Sequence, residues 1–172
     1  MSARQPGPVV RIVSAGTPTS RIDVPEEPTV TERFAAEEFQ ETIARMSDAQ
    51  LPIDEGPAAD GDAPVIRIGT SFFDPGDDPA DSDRDPDRFR ISSDQHTVTL
   101  AGASDRSTLY AVYDLLEQHL GCRWLGPTQT WEEIPDRATV ELPADLSYTD
   151  APGLPYRSLS YNGNFDMDTW AG

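Results

Sequence analysis

The sequence predicts an α+β domain: a mixed, largely antiparallel sheet with two helices packed on one face. Three observations predict it. Only two segments combine a cap with an apolar stripe at helical spacing. Short apolar runs bounded by polar turn residues read as strands, and two of them pair across Asp94-Gln95. Helices are therefore few beside strands, which fits a single helical layer on a sheet. No internal repeat is visible.

The elements follow in order. Val9 to Val13 reads as a first strand. The first helix is expected near 30–46. Thr29 with Glu32 fits a capping box, although Thr31 could also cap. Ala35, Phe39, Ile43 and Met46 then recur on one face. A strand is expected at Leu51 to Asp54, a polar loop at Ala58 to Pro64, and a strand at Val65 to Ile68 that Gly69 ends. Phe89 to Ile91 and Thr97 to Ala101 form the hairpin. The second helix starts at Ser104 and Asp105, whose side chains can accept from free N–H groups of the first turn. Leu109, Val112, Tyr113, Leu116 and Leu120 line its apolar face, and Gly121 supplies a left-handed stop. Cys122 to Leu125 reads as a short buried strand, followed by strands at Trp131 to Ile134 and Thr139 to Leu142.

Composition narrows the function classes. At 172 residues the chain is long enough for a real core. Its net charge is -18, from 31 acidic and 13 basic residues, and every basic residue is Arg. Such a surface suits neither nucleic acid nor an anionic membrane. It suits a protein kept soluble in concentrated salt, which screens the self-repulsion. Scattered charge and a normal core argue against a mimic of DNA. One cysteine excludes an internal disulfide and a cysteine-based zinc site; Cys122 is expected to be buried. No run reaches membrane-spanning length and Met1 to Val13 carries no export signal, so a cytoplasmic chain, or a fragment without its address, is expected.

Seven aspartates lie between Phe73 and Arg88. Asp81, Asp83, Asp85 and Asp87 alternate as in a calcium loop. The template fails at its sixth and twelfth positions, where Pro86 and Ser92 replace Gly and Glu. A solvated, flexible loop is expected instead. Glycosidic hydrolysis needs two carboxylates flanking the bond. Glu132-Glu133 would point to opposite faces of a strand and cannot converge. His96 falls in a hairpin turn and His119 near a helix end. There is no Ser-His-Asp set, metal-ligand cluster or phosphate loop. No catalytic residue, metal site or cofactor is expected.

The segment from Gly102 to Trp124 resembles the end of the N-terminal domain of family 67 α-glucuronidases and family 20 β-hexosaminidases. The form there is Gly-Thr-Leu-Tyr-Gly-Val-Tyr-Asp-Phe-Leu-Glu followed by Leu-Gly-Cys-Arg-Trp. This chain has Ser107 and Ala111 in place of glycines, and Ala103 in a Gly-Gly pair. These replacements are small, so close helix–sheet approach is expected to survive. Thr31 to Gln40 resembles the first helix of that domain, and Leu51-Pro52-Ile53 the strand after it. The resemblance spans roughly residues 9 to 160.

The resemblance implies that residues 1–150 form a β-hexosaminidase domain 2-like accessory domain. Residues 151–172 would then be a linker and the start of a (β/α)8 catalytic barrel, the rest of which is missing or separate. Arg157 matches, by order, an aromatic-Arg pair that opens the first barrel strand, so it is the one implied substrate-binding residue. Asn162, Asn164 and Trp170 would form the following loop, and Leu159, Tyr161, Phe165 and Trp170 would be exposed. The family's catalytic carboxylates lie on later barrel strands, so none is carried over and the chain alone is expected to be inactive. The implied partners are the barrel and, through it, an oligosaccharide. Two other readings stay open: a stand-alone carbohydrate-binding module stacking sugar on Trp124, Trp131 or Tyr161, and an interaction protein of similar fold.

Overall fold

The computed structural model describes residues 7–56, 63–74, 86–126 and 128–152. The chain runs β1 (Val9–Ser14), β2 (Thr17–Pro18), β3 (Arg21–Val24), α1 (Val30–Ser47), β4 (Ile53–Glu55) and β5 (Val65–Ile68). It continues with β6 (Phe89–Ser93), β7 (Thr97–Gly102), α2 (Asp105–Gln118), β8 (Arg123–Trp124), β9 (Glu132–Glu133), β10 (Val140–Pro143) and β11 (Ser147–Asp150). Short 3-10 turns occupy Thr70–Phe72 and Gln129–Trp131.

The main sheet has six strands in the order β11-β6-β7-β5-β3-β4. β4, β3, β5 and β7 run parallel. β6 and β11 join antiparallel. The small sheets β10-β1-β2 and β8-β9 are antiparallel throughout. Most strand pairs are therefore antiparallel and the fold is α+β, as the sequence predicts. β3 and β11 are strands that the sequence reading lacks. The expected strand at Leu51 shifts to Ile53–Glu55, and Leu51 instead packs in the core.

Side-chain alternation gives the main sheet two unlike faces. Ile22, Ile66 and Val98 align across β3, β5 and β7, as do Ile68, Leu100 and Ile91 across β5, β7 and β6. All six are fully buried. The helices close over this face. From α1 come the expected Ala35, Phe39, Ile43 and Met46, all buried. From α2 the buried stripe is Ser107, Thr108, Ala111, Val112, Leu115 and Leu116. Leu109 and Tyr113, expected inside, sit half-buried at its margin.

Two close approaches hold the helices down. At α1, Thr29 and Glu32 form the expected capping box. Glu32 does more. Its Oε2 accepts from the Thr29 N–H at 2.9 Å, while Oε1 accepts from the Thr70 N–H at 2.7 Å and the Thr70 hydroxyl at 2.8 Å. One buried carboxylate thus ties the helix start to the end of β5. Burial raises its proton affinity, but the hydrogen bonds from Thr70 and Thr29 outweigh that and hold the carboxyl below its ordinary value. Gly69 makes this junction possible. Its φ is 156°, and a Cβ there would lie 2.7 Å from the Pro25 ring.

At α2 the approach is tighter. A Cβ on Gly102 would sit 2.2 Å from the Thr108 backbone N and 2.4 Å from Ser107 Oγ. Ser104 caps the helix through a box with Ser107. The helix ends at Gln118, two residues before Leu120. The Cys122 N–H then closes onto the Leu116 carbonyl at 3.0 Å across Gly121, which has φ 79°. Beyond it, the expected buried strand Cys122–Leu125 shrinks to β8. Cys122 is buried, but Leu125 is 62% exposed, because among the described residues β8 pairs only with two-residue β9 and no second layer covers it.

Replacing Glu32 by Gln should cost about 1–3 kcal/mol, because an amide cannot accept from three donors and presents N–H to N–H. Chemical denaturation checks it. The native carboxyl titrates lower than the unfolded one. Its stabilisation is therefore complete above the ordinary glutamate range of about pH 4.3 and is lost as pH falls through the lowered native value. The Glu32→Gln variant should lose that part of the acid dependence. Gly102→Ala should cost about 1–3 kcal/mol, since backbone, not a flexible side-chain end, blocks the methyl. A melting temperature equal to that of the parent would contradict it.

Candidate binding groove on the open sheet face

The other face of the main sheet carries charge. Arg21, Val65 and Thr97 align across β3, β5 and β7, and Asp23, Arg67 and Thr99 form the next row. Asp54 on β4 sits beside Asp23. A cavity of about 590 Å³ opens on these rows. Its floor includes Arg21, Asp23, Val65, Arg67 and Thr97; its walls include Pro25, Glu26, Ser71, Phe72 and His96. The volume falls in the range of small-ligand sites, roughly 300–1,000 Å³.

The polar groups of the groove are partly committed to one another. Arg21 Nε donates to Asp23 Oδ1 at 3.1 Å and lies 3.7 Å from Asp54 Oδ2. Burial raises the Asp23 carboxyl above its ordinary value against the pull of Arg21, and the neighbouring Asp54 adds to the rise. Arg67 stacks its guanidinium 5.9 Å from the Phe72 ring centroid. Asp23 and Asp54 share one guanidinium and so lie on the same side of it.

Two smaller cavities border the helices. One, of about 260 Å³, is lined by Phe89, Tyr110, Tyr113, Asp114, Glu117, Asp150, Ala151 and Pro152. The other, of about 170 Å³, is walled by Glu38, Glu41, Thr42, Arg45, Trp124, Gln129 and Glu132. Tyr113 donates to Glu38 Oε2 at 2.7 Å and meets the Trp124 ring edge-on at 4.9 Å. Burial and then this hydrogen bond raise its phenol. Tyr148 donates to Asp114 Oδ2 at 2.7 Å and contacts His119 Nε2 at 3.2 Å.

The residues singled out in the sequence scatter. Arg157, Tyr161, Asn162, Asn164 and Trp170 lie outside the described residues, as do 75–85 of the acidic loop and the 153–172 tail. Asp87, at the loop's end, is buried and accepts from Arg106 Nε at 2.8 Å, so it anchors the loop to α2. Glu132 pairs with Arg45 while Glu133 is exposed, so the two diverge as expected. Burial raises the Cys122 thiol, against the nearby Arg137, Arg123 and Arg45. That favours a packing thiol over a nucleophile. Trp124 packs on Tyr113, whereas Trp131 is 57% exposed. Of the histidines, only His96 reaches the groove. Arg21, Asp23 and Arg67 are absent from the sequence reading. Their signal was the alternation Arg-Ile-Asp-Val and Val-Ile-Arg-Ile, which puts charge on one face of strands whose other face is core. Among the described residues no three His, Cys, Asp or Glu side chains group to hold a metal, and no helix is long and apolar enough to cross a membrane.

No protein-family model matches the chain, and no curated protein does. Solved structures do. The chain is similar to a family GH115 4-O-methyl-α-glucuronidase with specificity for decorated arabinogalactans, at 16% identity and a TM-score of 0.57, over 87% of this chain and 19% of that one. It is also similar to the GH20 β-N-acetylhexosaminidase of Streptomyces coelicolor A3(2), at 18% identity and a TM-score of 0.53, over 88% of this chain and 25% of that one. The chain thus spans well under two thirds of either enzyme. At these identities the likeness is one of fold: the chain has the fold of a domain-sized part of glycoside hydrolases.

Proposed function

We propose that the chain is a non-catalytic N-terminal accessory domain of a carbohydrate-active glycoside hydrolase of the α-glucuronidase/β-hexosaminidase type. The observation that carries the reading is the fold match, which takes in 87% of this chain but only 19% of the glucuronidase. The groove's carboxylates fit it, because Asp23 and Asp54 are both engaged by the Arg21 guanidinium. In this reading the domain braces a (β/α)8 barrel that begins within 151–172, with Arg157 near the sugar. Ala151 and Pro152 border the cavity beside Tyr110 and Tyr113, so the described chain ends next to α2. The half-buried Tyr110, Tyr113 and Trp124 there offer amphipathic contact area for a second domain. The acidic, lysine-free composition fits a cytoplasm rich in salt.

The purified chain should not hydrolyse aryl glucuronides or aryl N-acetylhexosaminides above the buffer rate, at low or high salt. Turnover that disappears on replacing a single carboxylate of the chain would overturn the accessory reading.

A further inference from the structure

Leu125 and Trp131 stand on the loop between β8 and β9, and they are 62% and 57% exposed. Single exposed apolar residues are ordinary. What sets Trp131 apart is how it is held. The Leu125 N–H donates to the Trp131 carbonyl, and the Trp131 N–H donates to the Thr128 carbonyl, each at 2.8 Å. Gly126 lies directly against the side chain: a Cβ there would come within 2.8 Å of Trp131 Cγ and 3.2 Å of Cδ1. The indole is therefore held in place before any ligand arrives, with more than half of the residue's surface still in water.

The surroundings of the ring narrow its occupant. From Leu125 to Trp131 no residue is charged, in a chain whose charged residues make up 26%. Thr128, Gln129 and Thr130 are exposed, and their hydroxyl and amide groups can both donate and accept. Gln129 and Glu132 also line the cavity of about 170 Å³ beside Trp124. That cavity sets three carboxylates, Glu38, Glu41 and Glu132, against one guanidinium, Arg45. The excess of negative charge disfavours an anion. Size argues against a folded partner. One aromatic side chain covers roughly 150–250 Å², far short of the roughly 800 Å² that each partner gives to a standard protein interface. An uncharged, ring-sized ligand with apolar C–H bonds on its face and hydroxyls at its rim meets all of these conditions.

We propose that Trp131 is a stacking platform for one neutral pyranose unit of an oligosaccharide, with the sugar's C–H face on the indole and its hydroxyls toward Thr128, Gln129 and Thr130. The negative face of the π-system attracts the C–H dipoles. The choice of a sugar among uncharged ring compounds rests on the carbohydrate-active reading above. The charge around the loop separates this sugar from a uronic acid. Contact here holds a glycan on the domain and leaves cleavage to another part of the enzyme.

Titration of the full chain with cellotetraose, followed by the indole N–H resonances of its three tryptophans, tests this. Equatorial hydroxyls leave C–H bonds on both faces of each glucose ring of that probe. The Trp131 resonance, identified by its loss in Trp131→Phe, should move while that of Trp124 stays. Trp131→Ala should weaken binding about tenfold or more, whereas Trp131→Phe, which keeps an aromatic face, should retain part of it. Tetragalacturonate, the charged counterpart, should bind more weakly than cellotetraose. Circular dichroism checks that both variants stay folded. A Trp131 resonance unmoved up to tens of millimolar cellotetraose would overturn the proposal. So would equal binding by folded Trp131→Ala, or tetragalacturonate binding as tightly as cellotetraose. Each of those results leaves the accessory reading standing, which only the turnover assay can sink.

Discussion

The structure depends on one constraint: a block of parallel strands with a helical layer on a single side. Every other feature answers to it. The inward rows of Ile22, Ile66, Val98, Ile68 and Leu100 must be sealed from water chiefly by α1 and α2, with β1 and β10 closing the margin of the same core. At about 25 cal/mol per Å² of apolar surface, a gap under either helix would be costly. The helices are therefore pinned at their starts, where backbone donors are otherwise unmatched. Glu32 pins α1 to the turn after β5, and Gly102 lets α2 descend until its first turn touches β7.

The same constraint leaves the molecule with two working surfaces of different character. The seams beside the helices are aromatic and acidic: one has Glu38, Trp124 and Glu132, and the other has Tyr110, Tyr113 and Asp114 beside Ala151 and Pro152. The open side of the sheet is a groove of mixed charge with a single aromatic wall. The first suits a broad contact with another folded domain. The second suits a small polar ligand.

Much of this fold was legible in the residues, for reasons that can be named. α1 and α2 were readable because cap, stripe and stop coincide within each segment; the Thr29–Glu32 box and Gly121 sit where local chemistry puts them. The β6–β7 hairpin was readable from Asp94, whose carboxylate accepts from the His96 and Thr97 N–H groups. β3 was not, because Arg-Ile-Asp-Val is four residues long and half charged, and it becomes a strand through its neighbours β4 and β5. The groove was hidden for the same reason. Arg67 is far from Arg21 and Asp23 in sequence, and only parallel pairing in register brings it beside them. Glu32 was visible as half of a cap, but its bond to Thr70 is a tertiary contact that no local pattern encodes. Trp131 was read as a strand residue, yet the layer that would bury it is absent among the described residues.

The central claim is that the helical layer is pinned to the sheet at its starts, by Glu32 at α1 and by the close approach at Gly102 at α2. Native-state amide hydrogen exchange of the full chain and of its Glu32→Gln variant tests it most directly. The account predicts that the variant loses protection most strongly in α1 and the Thr70–Phe72 turn. Protection unchanged there, or lost equally across the whole sheet, would contradict it.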